Sequence, residues 1–261
     1  MSKHFETQAI RSQTERSQFS EHSTPLYLTS SFVFEDAEEM RASFAEEKER
    51  NLYSRFSNPN TTEFVDKIVA MEGAEAGYAF ATGMAAIFLA IMTLCESGDH
   101  IVASSQVYGG TANLLRLTLP KFGIKTTFVK PRDTQGFKKA IQENTKCIFG
   151  ELLGNPGNEL MNMPEVADIA HDAGIPLIID STYQTPYLCK PFDFGADIVV
   201  HSLTKWMAGH GSSMAGVIVE GGKFDWMQNN KFPQMTEPYE GYHGLSFAEE
   251  FGPVTFTMKA R

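Results

Sequence analysis

A lysine preceded by hydroxyl groups is the part of this sequence best suited to covalent chemistry. Lys205 follows Ser202 and Thr204, directly after the apolar segment 197–201. A lysine held against apolar surface keeps more of its free amine, the form that makes a Schiff base with a carbonyl compound. We therefore predict that Lys205 is catalytic and lies beside apolar surface, although a lone lysine in a loop is usually a solvated charge.

A carboxylate is the last residue of another apolar segment. Asp180 ends the stretch 176–180, whose other residues are all apolar. A buried carboxylate is costly unless a cation or hydrogen-bond donors face it, and a protonated ring nitrogen meets that requirement. Asp180 is thus the second candidate for catalysis, and a role as a turn or helix cap is the alternative.

A small polar turn, Thr82-Gly83-Met84, joins a predicted strand to a predicted helix. Glycine lets the backbone approach a ligand, and the free amides at a helix start attract an anion such as phosphate. The turn is therefore a candidate phosphate site, and an ordinary tight turn accounts for the pattern about equally well.

Two further turns carry side chains that suit a planar ligand. Tyr108 precedes two glycines and Asn155 precedes Pro156, each after a predicted strand. An aromatic ring can stack on a planar ligand, and an asparagine amide can donate a hydrogen bond into the same cleft. Local packing of the tyrosine and a routine Asn-Pro turn are the simpler alternatives.

The elements that must position these residues alternate between apolar strands and helices. This alternation predicts an α/β fold, a mostly parallel sheet with helices on both faces, in which ligands bind at the carboxyl ends of the strands. Residues 1–31 are polar and are predicted to form an extended arm. The predicted strands are 77–81, 101–104, 124–129, 147–152, 176–180, 197–201 and 215–220. The predicted helices are 36–48, 61–72, 83–94, 111–121, 137–142 and 163–172.

The composition is typical of a soluble globular protein and excludes several classes of binding partner. The 261 residues carry a formal net charge of −10, from 32 acidic and 22 basic side chains. This acidic balance, without a basic stripe, argues against a nucleic-acid partner. The longest apolar run, about 84–94, is too short to span a membrane, and the N-terminus lacks the apolar core of a secretory signal. Three widely spaced cysteines fit reduced thiols in the cytoplasm, not disulfides or a zinc site, and no metal site is predicted.

Six motifs in register give the sequence a specific likeness. The chain resembles the Cys/Met-metabolism family of enzymes that depend on pyridoxal 5'-phosphate (PLP), which have the aspartate-aminotransferase-like fold type I. The motifs are Y-S-R-x-x-N-P at 53–59, T-G-M-A-A at 82–86, Y-G-G-T at 108–111, E-x-x-x-N-P at 151–156, D-S-T at 180–182 and H-S-L-T-K at 201–205.

The resemblance implies PLP as the cofactor and assigns roles to the candidate residues. Lys205 would bind PLP as a Schiff base and move protons, Asp180 would keep the pyridine nitrogen protonated, and Tyr108 would stack on the ring. Asn155 would hydrogen-bond the phenolic oxygen of the ring. The other residues implied in cofactor binding are Thr82, Gly83, Met84, Thr182, Ser202 and Thr204, together with Tyr53 and Arg55, which would reach the cofactor of a neighbouring subunit.

The resemblance also implies an organisation into three parts and a homodimer or homotetramer with shared active sites. Residues 1–58 would be an N-terminal arm that contacts a neighbouring subunit, and 59–251 the large PLP-binding domain. Residues 252–261 would begin a C-terminal domain that is otherwise missing, because the predicted helix from 256 has no stop signal before the end at Arg261.

The region after Lys205 narrows the implied reaction. Its motifs at 209–211, 222–226, 236–238, 242–244 and 251–252 resemble those of the O-acetylhomoserine sulfhydrylases within the family. The implied activity is γ-replacement on O-acetylhomoserine by sulfide or a thiol, which gives homocysteine or methionine and acetate. Two alternatives remain open. One is elimination or replacement of the methionine γ-lyase, cystathionine γ-synthase or β-lyase type, and the other is a PLP-binding chain without turnover.

Overall fold

A seven-stranded sheet forms the centre of the computed structural model, which describes residues 4–12, 16–45 and 47–261. The strands lie in the order β1-β7-β6-β5-β4-β2-β3. They are β1 (Ala76–Phe80), β2 (His100–Ser104), β3 (Lys125–Val129), β4 (Thr145–Glu151), β5 (Leu177–Asp180), β6 (Ile198–Ser202) and β7 (Gly216–Glu220).

The sheet is parallel except at β7, which confirms the predicted mostly parallel sheet. Strands β2 to β6 pair in parallel, whereas β7 runs antiparallel to both of its neighbours, β6 and β1. Strands β2, β5 and β7 are buried along their whole length, as expected for a sheet covered by helices on both faces. The carboxyl ends of β4, β5 and β6 consequently meet at one edge.

Helices cover this sheet, and the almost entirely apolar α4 buries six of its twelve residues. It packs on β6 and β7, while α7 packs on β5 and α6 on β3. None of the helices in the described ranges is long and apolar enough to cross a lipid bilayer. The α-helices are α1 (Phe5–Arg11), α2 (Ala37–Phe44), α3 (Pro59–Glu72), α4 (Gly83–Leu94), α5 (Gly109–Asn113), α6 (Thr134–Ala140), α7 (Met163–Asp172), α8 (Thr185–Leu188), α9 (Pro233–Thr236), α10 (Phe247–Phe251) and α11 (Thr255–Ala260).

Three local expectations are wrong. The arm predicted to be extended contains helix α1, which packs on α3. Helix α3 begins at Pro59 and not near 61, because Asn58 accepts a hydrogen bond from the Asn60 amide and proline is well suited to a first helical turn. The helix predicted at 111–121 is broken into α5, a π-helical turn (Leu114–Thr118) and a 3-10 turn (Leu119–Phe122), the last of which contains Pro120.

The C-terminal helix α11 is fixed to the sheet by a buried carboxylate. Glu220, at the end of β7, accepts hydrogen bonds from the amides of Phe256 (3.1 Å) and Thr257 (2.8 Å). Phe256 also stacks on Trp226 at 5.9 Å between ring centroids. Burial raises the pKa of Glu220 to about 7, although the two amides act in the opposite direction. The segment after Lys205 is thus packed into the core of the same unit.

Candidate active site

The ends of β5 and β6 are joined by a hydrogen-bonded chain of three predicted site residues. The Thr182 amide (3.0 Å) and hydroxyl (2.6 Å) both donate to Oδ1 of Asp180. The same hydroxyl accepts a hydrogen bond from the Ser202 amide at 2.8 Å. Thr182 therefore fixes Asp180 relative to the strand that leads into the Lys205 turn.

The second carboxylate oxygen of Asp180 accepts no hydrogen bond within the described ranges, although the side chain is buried with 7% exposure. Burial raises the pKa of Asp180, and the hydrogen bonds from Thr182 act against that effect. A carboxylate in such a setting is stabilised by a cationic donor. A protonated pyridine nitrogen is such a donor.

The amino end of α4 lies against Ser202 and forms a cradle for an anion. A Cβ atom placed on Gly83 would come within 2.6 Å of the Ser202 Cβ and 2.8 Å of its Cα, so only glycine allows this approach. The Thr82 hydroxyl caps the helix by accepting from the Ala85 amide at 3.0 Å. The amides of Gly83 and Met84 belong to the first turn, where no helical carbonyl can reach them, and they are free to bind phosphate oxygens.

The turn that carries Lys205 is attached to the start of β7. The Leu203 amide donates to the Ala215 carbonyl at 3.0 Å, and the Thr204 hydroxyl accepts from the Ala215 amide at 3.3 Å. Lys205 itself is exposed. The expectation that it lies against apolar surface is therefore wrong for this chain, although its position next to Ser202 and Thr204 is as predicted.

Tyr108 caps the start of α5 with half of its side chain exposed. Its amide donates to Oε1 of Glu151 at 2.5 Å. Its ring lies directly over Gly110, where a Cβ atom would come within 2.5 Å of the Tyr108 Cε1. The glycine at 110 thus has a steric reason, whereas Gly109 is open, and the ring lies at the carboxyl edge of the sheet.

Asn155 lies in a tight turn after β4 and precedes a cis peptide bond to Pro156. The turn is closed by a hydrogen bond from the Gly154 amide to the Glu159 carbonyl at 2.9 Å. Gln106 packs beneath it, because Cβ atoms placed on Gly154 and Gly157 would both overlap the Gln106 side chain. Gln106 supports the turn and was not predicted, since a single glutamine in a loop carries no pattern.

Tyr53 and Arg55 lie on an exposed loop that packs against the arm. The Arg55 guanidinium lies between the rings of Tyr53 and Phe56, at 5.0 and 5.1 Å from their centroids. Asn58 anchors the loop by donating to the Tyr27 carbonyl at 3.0 Å. Within the described ranges no hydrogen bond joins Tyr53 or Arg55 side chains to the cradle, so the structure does not bring these two residues to the other candidates.

Two buried acidic residues near the site received no role from the sequence. Glu151 is 5% exposed and lies beside Asp180. Glu72, at the end of α3, makes a 2.6 Å contact with Nε2 of His201, and both side chains are fully buried. Glu151 and His201 each begin one of the six motifs, which was the available signal, but the spacing alone does not say what these side chains contact.

The residues present fit PLP. The cradle at Gly83 suits the phosphate, Asp180 suits the pyridine nitrogen, Tyr108 offers a ring face, and Lys205 offers an amine. The fit depends most on the glycine cradle and on Asp180. The free amides of the cradle require an anion, which the PLP phosphate supplies, and the second oxygen of Asp180 requires a donor, which the pyridine nitrogen supplies.

We expect Gly83→Ala to weaken PLP binding at least tenfold, because the new methyl group would overlap the Ser202 backbone and push α4 away from β6. Overpacking of this kind costs about 1–3 kcal/mol. Titration of the apo protein with PLP, followed by absorbance, measures the change. Gly109→Ala is the matched control, since a Cβ there meets no atom within 4 Å; equal affinities for the two variants would contradict the cradle.

Comparison with known proteins gives a family and a set of close relatives. A family model for "Cys/Met metabolism PLP-dependent enzyme" matches residues 6–258. The homocysteine synthase of Schizosaccharomyces pombe is 42% identical over 263 residues, which is all of this chain and 61% of the relative. The O-acetyl-L-homoserine sulfhydrylase of Leptospira meyeri is 44% identical over 245 residues, which is 91% of this chain and 55% of the relative.

A solved structure shows the same fold. It is an O-acetylhomoserine (thiol)-lyase from Campylobacter jejuni that contains N'-pyridoxyl-lysine-5'-monophosphate at its position 205. It matches with a TM-score of 0.93 and 32% identity over 98% of this chain and 64% of its own. The chain therefore spans less than two thirds of the length of these relatives.

Proposed function

Because this chain belongs to the Cys/Met metabolism PLP-dependent enzyme family, we propose that it catalyses γ-replacement on O-acetylhomoserine with sulfide or a thiol. With sulfide the products are homocysteine and acetate, and with methanethiol they are methionine and acetate. The identity of 42–44% to a homocysteine synthase and a sulfhydrylase carries this proposal. Membership of the family confirms the predicted PLP cofactor and fold class.

PLP, when bound, supplies an electron sink that makes protons on the carbons next to the substrate amine acidic. We assign the binding of its phosphate to the amides of Gly83 and Met84 and to the hydroxyls of Ser202 and Thr204. Asp180 holds the proton on the pyridine nitrogen, and Thr182 keeps Asp180 in place.

Lys205 has two tasks in this proposal. Its amine would hold PLP covalently, and in its free form the same amine would accept and return protons on the substrate. An exposed turn attached to β7 through Leu203 and Thr204 suits these tasks, because the side chain can move while its backbone stays fixed. Tyr108 covers the ring, and Asn155 hydrogen-bonds its phenolic oxygen.

The reaction class is tested by its products. Purified protein with PLP is given O-acetylhomoserine and sulfide, and homocysteine and acetate are measured; 2-oxobutyrate release from methionine is measured separately, with Lys205→Ala as the blank. We expect homocysteine and acetate in equal amounts. Release of 2-oxobutyrate alone would contradict the proposal in favour of a lyase, and tight PLP binding without any product would favour the non-catalytic alternative.

We also propose that the site is shared between subunits of a homodimer or homotetramer, and that the protein acts in the cytoplasm. The exposure of Tyr53 and Arg55 near the end of the 1–58 arm supports sharing, since among the described residues no hydrogen bond joins their side chains to the cradle of their own chain.

We expect an equal mixture of Arg55→Ala and Lys205→Ala subunits to regain about a quarter of wild-type activity, because random exchange makes half of the dimers mixed and each mixed dimer has both intact residues at one of its two sites. Each variant alone is the control. The mixture is assayed after the subunits have been allowed to exchange. A mixture as inactive as the separate variants would contradict a shared site.

A further inference from the structure

Glu151 and Asp180 form a pair of buried carboxyl groups at the carboxyl edge of the sheet. They are Cα partners on the neighbouring parallel strands β4 and β5, so both side chains project from the same face. Glu151 is 5% exposed and Asp180 is 7% exposed. Two carboxylates this close in a buried setting repel each other strongly, and one of them is stabilised in its protonated form.

The hydrogen-bond donors decide which group keeps the proton. Asp180 receives two donors from Thr182, one of them a hydroxyl at 2.6 Å, which stabilise its negative charge. Glu151 receives the Tyr108 amide at 2.5 Å as its one donor within the described ranges. The charge is therefore better stabilised on Asp180, and the proton belongs on Glu151.

We propose that Glu151 is a positioning residue that works as an uncharged carboxylic acid: it holds the Tyr108 backbone in place and leaves Asp180 as the single charge of the pair. Glu151 thus lies between Tyr108, which covers the PLP ring, and Asp180, which holds the pyridine nitrogen. It rests on the PLP binding that the proposed function requires, but not on the choice of substrate.

The surrounding charges agree with this assignment. Burial and the nearby Asp180 charge raise the pKa of Glu151 to about 8, while the Tyr108 amide acts weakly in the opposite direction. His201 of β6, whose ring contacts Glu72, favours the charged form of Asp180 through its charge. Asp180 from β5 is the charged side chain that acts on Glu151 among the described residues.

The first test separates the positioning of Tyr108 from the uncharged state of Glu151. It uses PLP titration of apo variants at pH 7. Glu151→Met keeps the side-chain length but removes the acceptor for the Tyr108 amide, and we expect PLP to bind at least tenfold more weakly. Glu151→Gln keeps an acceptor oxygen without a charge, and we expect it to restore most of the affinity that Glu151→Met loses. An affinity for Glu151→Gln as poor as that of Glu151→Met would overturn the uncharged form, and wild-type affinity for Glu151→Met would overturn the positioning role.

The second test follows unfolding of the apo proteins by denaturant between pH 5 and pH 8. A carboxyl group whose pKa is raised in the folded state stabilises the fold at low pH and loses this contribution as the pH rises towards 8. The unfolding constant of wild type, divided by that of Glu151→Gln, should therefore rise between pH 5 and pH 8 by roughly a few hundredfold. A ratio that stays constant would show that Glu151 is already ionised at pH 5 and would overturn the proposal. Neither test uses sulfhydrylase activity, so a wrong substrate assignment leaves both intact.

Discussion

Replacing Lys205 with alanine should abolish covalent attachment of PLP and all turnover. The amine is the group in the turn after β6 that can bond to the PLP aldehyde, and neither Ser202 nor Thr204 can replace it. The phosphate cradle at Gly83 is untouched, so the variant should still bind PLP without a covalent bond. Spectra of the dialysed protein measure the loss, as the visible band of the Schiff base between lysine and PLP should disappear.

The control for this variant is an exposed lysine outside the site. Lys223→Ala removes the same side chain from a position after β7 and should retain the visible band. Lys205→Arg keeps the positive charge but has no free amine near neutral pH, so it should behave like Lys205→Ala. Cofactor that remains attached to Lys205→Ala after borohydride reduction and denaturation would show that another amine binds PLP.

Replacing Asp180 with alanine should lower turnover by about a hundredfold to a thousandfold, with a smaller effect on PLP affinity. Removing one partner of a buried charged pair costs about 3–5 kcal/mol, and in the proposed site the other partner is the protonated pyridine nitrogen of PLP. The proton is then lost more easily, so the variant should be least active at high pH. Steady-state rates between pH 6 and pH 9 measure both effects.

Two variants separate the charge of Asp180 from its place in the hydrogen-bonded chain. Asp180→Asn keeps the size and the contacts with Thr182 but has no charge, and we expect nearly the full loss of turnover. Thr182→Val keeps the charge and removes the 2.6 Å hydroxyl donor, and we expect about a tenfold loss, which corresponds to one hydrogen bond to a charged group. Wild-type turnover in Asp180→Asn would contradict the assigned role.

The sequence predicted the sheet and the position of the site because both depend on local patterns. The seven apolar segments were found as strands β1 to β7, and the polar carboxyl ends of the parallel strands β4, β5 and β6 meet at one edge of the sheet. A parallel arrangement forces this result, since consecutive strands deliver their carboxyl ends to the same side. The antiparallel direction of β7 was not predicted, because the pattern of apolar residues is the same for parallel and antiparallel strands buried on both faces.

The sequence did not predict the contacts that join distant segments. The Thr182 hydroxyl connects Asp180 to Ser202, and the Glu151 carboxyl group holds the Tyr108 amide across 43 positions. Such contacts depend on strand register and on side-chain direction, neither of which a motif specifies. The exposure of Lys205 was not predicted either. A turn after a buried strand can be covered by neighbouring elements or exposed to solvent, and the sequence of the turn does not say which.

The most direct test of the central claim is to locate the residue that binds PLP. The protein is loaded with PLP, reduced with borohydride to make the bond permanent, and digested for peptide mass spectrometry. The account predicts one pyridoxyl-phosphate group, on the peptide that contains Lys205, and its absence from Lys205→Ala treated in the same way. A modified lysine elsewhere, or no modified peptide from protein that has bound PLP, would contradict it.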